Sequence, residues 1–318
     1  MSDAAKAGGP RHVVAGDGDA GQRIDNFLIR ELKGVPRSRI YRILRRGEVR
    51  VNGGRIKATY RLQGGDDVRL PPVRVSDARG TASPSASLKK KIEESIVYED
   101  NLILAIDKPP GLAVHGGSGV SVGVIEALRA LRPRDPELEL VHRLDRDTSG
   151  VLLLAKRRSA LRSLHEILRE GRADKRYVAL LCGRLRRDRV SVTVPLLKNV
   201  LRSGERVVRV DPRGKASRTD FRVLSRYADT FLAEAQLHTG RTHQIRVHAQ
   251  YIGHPVAGDR RYGDDDVNRR LSGLGLRRLF LHAASIAFPW GERGKRLRIE
   301  APLEPDLQAF LDRLSEAA

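Results

Sequence analysis

Residues 141–156 read VHRLDRDTSGVLLLAK, a polar loop that runs straight into an apolar run. VLLLAK at 151–156 predicts a strand buried on both faces, because it has no polar alternation. In the loop, Asp145 and Asp147 flank Arg146, and Thr148, Ser149 and Gly150 follow. An ordinary turn would use these same residues: Thr and Ser satisfy turn backbone, and Gly supplies a tight conformation. Two carboxylates could also hold a metal, but no ligands at recognisable spacing accompany them.

Downstream, RSALRSLHEILREG predicts an amphipathic helix with Leu161, Leu164 and Leu168 inward. KRYVALLCG, VSVTVPL, TDFRVLSRY, TFLAEAQLH and RLFLHAASIAFPW read as strands. THQIRVHAQYIG reads as a helix closed by Gly253, and EPDLQAFLDRL as a C-terminal helix with Pro305 near its start. Upstream, IVYED-NLILAIDKP reads as two short strands around Asp100 and Asn101. Strands outnumber helices without regular alternation, which predicts an α+β domain over 93–318 with a mixed, mostly antiparallel sheet.

Residues 73–92 are rich in Ser, Ala, Gly and Pro and read as a linker. Residues 1–14 read as a flexible tail. Between them, 15–72 form a small α/β domain. Its first helix buries Ile24, Phe27, Leu28 and Leu32 and ends at Gly34; its second starts near Pro36, buries Ile40, Ile43 and Leu44, and ends at Gly47. Asn52-Gly53 marks a hairpin turn after the strand EVRVNG.

The 318-residue chain carries 60 Lys and Arg against 39 Asp and Glu, a net charge of +21. Residues 22–72 hold 13 basic and 5 acidic residues, a net of +8 and more than twice the chain's average density. Arg39, Arg42, Arg45 and Arg46 project away from the apolar stripe of the second helix, and Arg50 lies on the strand that follows. Such clustering favours phosphate contact over a merely solvated face. No run of about 18 apolar residues predicts a membrane span, and no apolar stretch behind the first methionine predicts a signal peptide. The one cysteine, Cys182, excludes an intrachain disulfide and a CxxC zinc site, and is consistent with the reducing cytoplasm.

Two further segments carry chemistry. LHTGRTHQIRVHAQYIGHPVAGDRRYG at 237–263 places Ile245, Ala249 and Ile252 on one helix side, with Arg246 beside that stripe and able to reach a carboxylate. AIDKPPGLAVHGGSG at 105–119 has a rigid turn at Pro109, Pro110 and Gly111 and glycines at 116, 117 and 119, but neither a phosphate-loop nor a dinucleotide fingerprint.

In this order, and with KRYVAL at 175–180, these segments resemble the pseudouridine synthases that modify ribosomal and transfer RNA. RIDNFL, SRIYRILRRGEVRVNG and GDDVRL resemble the S-four-type RNA-binding domain. The combination is most similar to the large-subunit ribosomal RNA pseudouridine synthase C group. The resemblance implies that Asp145 is the catalytic nucleophile, that Arg246 pairs with it through two hydrogen bonds, and that Tyr177 stacks on the target base. It implies that Arg143 fills the space of the extruded base, that Arg241 contacts backbone or phosphate, and that Ile245 lines the base pocket, where core packing explains it equally well. His142 is grouped with these substrate contacts. It further implies no cofactor and no metal, since the reaction is an isomerisation, and RNA as the partner; a monomer is expected because RNA supplies the partner surface. The rival readings are a non-catalytic RNA-binding or ribosome-assembly factor, and a metal-dependent nucleic-acid hydrolase.

Neutralising Arg42, Arg45 and Arg46 together is expected to flatten the salt dependence of RNA binding. An unchanged slope in a binding titration across salt concentrations would remove this helix from the interface.

Overall fold

The computed structural model describes residues 9–32, 34–35, 37–73, 83–116, 122–200, 206–291 and 295–316. The chain divides into two compact units that meet at Ser83 and Pro84.

The first unit contains β1 (Arg11–Val14), α1 (Ile24–Glu31), α2 (Arg37–Arg46), β2 (Arg50–Val51), β3 (Gly54–Arg55) and β4 (Asp67–Leu70). Its sheet has the order β1-β4-β2-β3, antiparallel throughout. The expected apolar stripes meet in one core: Ile24, Phe27, Leu28, Ile40 and Ile43 are fully buried against Val49 and Val68. Asn52 and Gly53 both adopt positive φ, as a two-residue hairpin requires. One expectation needs correcting. Residues 11–14, read as part of a tail, are a strand paired with β4 from Arg11↔Leu70 to Val14↔Asp67. Its side chains are mostly exposed, so backbone pairing holds it and no apolar pattern announces it. The tail residues 1–8 lie outside the described residues.

The linker expectation also needs correcting. Residues 74–82 lie outside the described residues, but Ala86–Glu94 is a helix, α3. Ser85 Oγ caps it by accepting from Leu88 N–H at 3.2 Å, and Ile92 is fully buried in the core of the second unit.

The second unit continues with β5 (Ile96–Glu99), β6 (Ile103–Lys108), α4 (Val124–Leu131), β7 (Glu139–Leu140), β8 (Ser149–Ala155), α5 (Arg158–Arg169), β9 (Asp174–Cys182), β10 (Arg189–Val192), β11 (Leu196–Val200) and β12 (Arg206–Val210). It closes with β13 (Thr219–Arg226), β14 (Thr230–Leu237), α6 (Gln244–Tyr251), α7 (Asp265–Gly273), β15 (Leu281–Pro289), β16 (Arg296–Glu300) and α8 (Pro305–Glu316). Ten strands form one sheet in the order β10-β13-β14-β9-β15-β8-β6-β5, with β16 on β15 and β7 on β8; β11 and β12 pair separately. Every pairing in the large sheet is antiparallel except β15 with β8, where His282 faces Ser149 and Ala283 faces Gly150. The fold is therefore α+β with a mixed, mostly antiparallel sheet.

All of β8 is buried, as its composition predicts. Leu152 and Leu154 pack with α3 and α4 on one face, and Val151 and Leu153 pack with α5 on the other. The buried line of α5 runs Ala160, Leu164, Ile167, so Leu161 and Leu168 are half-buried flanks rather than the centre of the stripe. Gly150 has φ +106°, and a Cβ there would stand 2.3 Å from Ala283 O, so only glycine permits the parallel junction. No described helix is long and apolar enough to cross a membrane.

Several buried histidines make the fold acid-sensitive. His248 on α6 sits between Thr219 Oγ1 (2.9 Å from Nδ1) and Ser217 Oγ (3.0 Å from Nε2). His142 Nε2 accepts from Leu153 N–H at 3.1 Å. Burial pushes each down to about 4. Between pH 6.5 and 4 the unfolded chain binds protons that these rings refuse, so stability falls as pH is lowered, by up to about 3 kcal/mol for each ring. Asp107, pushed up to about 6 by burial and Glu304, works in the opposite sense but offsets only one ring. Denaturant titrations at pH 7, 5.5 and 4 should show a progressive net loss; a constant unfolding free energy would contradict it.

Candidate active site

Asp145 sits between β7 and β8, and its loop is fixed from several sides. Lys108, fully buried at the end of β6, donates from Nζ to Pro109 O (2.8 Å), Leu112 O (3.1 Å) and Arg146 O (3.1 Å). One ammonium thus ties the KPPG turn to the residue after Asp145. Burial pushes that ammonium down to about 7. Arg146 Nε returns a bond to Gly111 O at 2.9 Å. At the start of β8, Arg278 donates to Ser149 Oγ (3.1 Å), Ser149 Oγ lies 2.9 Å from His282 Nδ1, and His282 Nε2 lies 3.1 Å from Ala301 O. A chain of donors running Arg278 to Ser149 to His282 to Ala301 satisfies every atom of this buried row. In the 105–119 segment, Glu126 of α4 accepts from Gly116 N–H (3.0 Å) and Gly123 N–H (2.8 Å), while Gly117 and Gly119 lie outside the described residues.

The other half of the site comes from α6 and the turn after it. Arg246 donates from Nη1 to Asp145 Oδ2 at 3.3 Å. Its paired fork goes elsewhere: Nε to Asp259 Oδ2 (2.7 Å) and Nη2 to Asp259 Oδ1 (2.8 Å). This corrects the expectation that the two-bond pairing belongs to Asp145. Asp259 is essentially fully buried and also accepts from Arg261 and Tyr262 N–H (2.9 and 3.1 Å), so its charge is held below the usual carboxylate range despite burial. Between two carboxylates, Arg246 is held above the usual arginine value although its side chain is only 12% exposed. Asp145 remains 25% exposed and accepts one weak bond.

A second group approaches the same oxygen. His243 Nε2 stands 3.9 Å from Asp145 Oδ2. Its Nδ1 lies 2.8 Å from Tyr262 OH, which itself accepts from Val208 N–H at 3.0 Å. The tyrosine proton is thus available for donation to Nδ1. Burial holds His243 below its ordinary value. His243 is in the left-handed region at φ 53°, an uncommon state for a non-glycine residue and one that other contacts must hold. Arg246 and His243 both approach Oδ2, and among the described residues Oδ1 accepts no hydrogen bond.

Tyr177 is buried on β9 opposite Ala235, in the same apolar cluster as Leu144, Leu237 and Ile245. Burial and the charge of Asp145 push its hydroxyl above the ordinary value, so the side chain is neutral. Arg143 and Arg241 are exposed, and Arg241 Nε donates to Ala216 O at 3.1 Å. His142 turns its Nε2 back onto the backbone of β8, which gives the ring a structural task. In the first unit, Arg42, Arg45 and Arg46 are exposed while Arg39 and Arg50 are half-buried. Depressions of about 550 and 450 Å³ occur on the second unit; neither is lined by Asp145 or Arg246, and Tyr177 borders the smaller. No cluster of metal-ligating side chains occurs among the described residues.

Sequence reasoning does not single out Asp259, and it reads His243 as a structural histidine. Both lie in the quoted 237–263 segment, but the pairing of Arg246 with Asp259 spans a turn whose geometry no local pattern encodes.

Residues 102–251 match the family described as RNA pseudouridylate synthase, and residues 22–68 match the S4 domain. The chain is 58% identical to ribosomal large subunit pseudouridine synthase C of Escherichia coli (strain K12), over 94% of this chain and 95% of that one. It is 57% identical to the protein of the same name from Pasteurella multocida (strain Pm70), over 96% and 94%. Among solved structures, human RNA pseudouridylate synthase domain containing 4 is similar at a TM-score of 0.60 and 27% identity, covering 72% of this chain and 96% of that chain.

Asp259→Asn is expected to cost about 3 kcal/mol of stability, because it strands a buried guanidinium fork. Replacing Arg246 and Asp259 together with apolar residues of similar size should recover most of that loss. Equal destabilisation of the single and double variants in denaturant titrations would refute the clamp.

Proposed function

The chain belongs to the RNA pseudouridylate synthase family, and on that premise we propose that it isomerises chosen uridines of large-subunit (23S) ribosomal RNA, with Asp145 as the nucleophile. The support for this substrate is the 58% identity, over nearly the whole of both chains, to a relative named for the large ribosomal subunit. The observation that carries the mechanism is the approach of Arg246 and His243 to a single oxygen of Asp145, which leaves Oδ1 without a donor among the described residues.

The reaction breaks the bond between the sugar and a uracil nitrogen, turns the base and rejoins it through a ring carbon. No atom is added and no redox change occurs, so the reading needs no cofactor. The cation keeps Asp145 ionised, and Oδ1 is the reactive oxygen. Direct attack on the sugar and removal of a sugar proton both start from this state. Tyr177 offers its ring to the extruded base, and the apolar wall of Leu144, Leu237 and Ile245 surrounds that position. Arg143, exposed two residues before the nucleophile, is suited to stacking in the gap that the base leaves. Arg39, Arg42, Arg45, Arg46 and Arg50 of the first unit hold RNA phosphates. The proposal includes action as a monomer in the cytoplasm, with RNA supplying the partner surface.

Asp145→Asn keeps the shape and removes the charge. Pseudouridine formation should fall at least about a thousandfold with RNA affinity retained. Pseudouridine mapping of ribosomal RNA from cells lacking the gene, complemented with parent or variant, reads this directly. Restoration of the missing sites by the Asn variant, or their presence without any gene, would favour a binding-only protein.

A further inference from the structure

The two faces of β9 treat their cations differently. Arg176 donates to Asp174 (2.9 Å) and to Glu234 (2.9 Å). Lys175, one residue away and on the opposite face, has no carboxylate partner among the described residues. It shares the face of Tyr177, because alternate strand residues point the same way. Its side chain is half-buried, and both burial and the guanidinium of Arg241 push its ammonium below the ordinary lysine value. Nζ lies 3.8 Å from the position a Cβ on Gly240 would occupy, so it rests against the turn that leads into α6. Its charge is also felt at His142, at the start of the Asp145 loop. Arg241 spends Nε on Ala216 O, and no carboxylate meets the rest of its fork among the described residues.

A half-desolvated ammonium under the influence of a second cation, with no carboxylate partner among the described residues, is unfavourable in the free protein. An arriving anion relieves both at once. We propose that Lys175 and Arg241 form a clamp for the RNA phosphodiester next to the extruded uridine. This rests on the reading of the cleft as a pseudouridine synthase site. The clamp sets the backbone while Tyr177 holds the base, so the sugar between them is presented to Asp145. Arg176, neutralised by its own carboxylates, takes no part.

The test compares the full-length parent with Lys175→Gln and Lys175→Arg on a transcript of 23S ribosomal RNA. The Gln variant should raise KM about tenfold with kcat little changed, and should lower the slope of log affinity against log salt by about 0.7 to 0.9. It should also melt no lower than the parent, since an uncompensated charge has been removed. The Arg variant should restore the slope. Three outcomes would overturn the clamp: an unchanged slope, a fall in kcat at unchanged KM (an ammonium acting on the reacting base), or a Gln variant that melts lower or fails to fold. A parent that binds the transcript but forms no pseudouridine counts against the synthase reading, and the salt slopes still judge the clamp.

Discussion

The guanidinium of Arg246, shared between two carboxylates, is the interaction on which the catalytic half of the molecule depends. Its fork is committed to Asp259, which is buried and held by two backbone N–H groups. Only the remaining amino group reaches Asp145. The division of labour follows from geometry. A carboxylate gripped by both arms would be well oriented but poorly free to react. Anchoring the cation on one acid lets it bias the other without immobilising it. Tyr262 adds a second support, its ring 5.0 Å from the guanidinium carbon and its hydroxyl on His243.

The opposing wall is built on the same principle of satisfied burial. Lys108 gives its three protons to three carbonyls, and the row from Arg278 through Ser149 and His282 to Ala301 leaves no polar atom of its own unmet. Polar networks of this kind are costly when incomplete and specific when complete. They explain why a loop of mixed polar residues holds one shape beside a strand that is entirely apolar.

Local patterns made α1, α2, β8 and α8 legible, because Ile24, Phe27 and Leu28, or Ile40, Ile43 and Leu44, repeat at the period of the element that buries them. What escaped was held by non-local contacts. β1 is held by backbone pairing across some fifty residues, with exposed side chains. α3 depends on two apolar residues, Leu88 and Ile92, inside a stretch of linker-like composition. At the site, Asp145, Arg246 and Tyr177 could be picked out from motifs by resemblance. The destination of the arginine fork, the contact of His243 with Tyr262 and the inward task of His142 could not, because each is decided across a turn of eleven to nineteen residues whose geometry no local pattern encodes.

The parallel junction of β8 with β15 has a further consequence. Ser149 and His282 lie far apart in sequence, and most of the catalytic unit must be made before they can meet. On the ribosome the arginine-rich unit emerges first and has its own core, while the Asp145 loop waits for almost the last strand to be synthesised. A nascent chain thus completes its first core well before the two sides of the Asp145 site can be brought together.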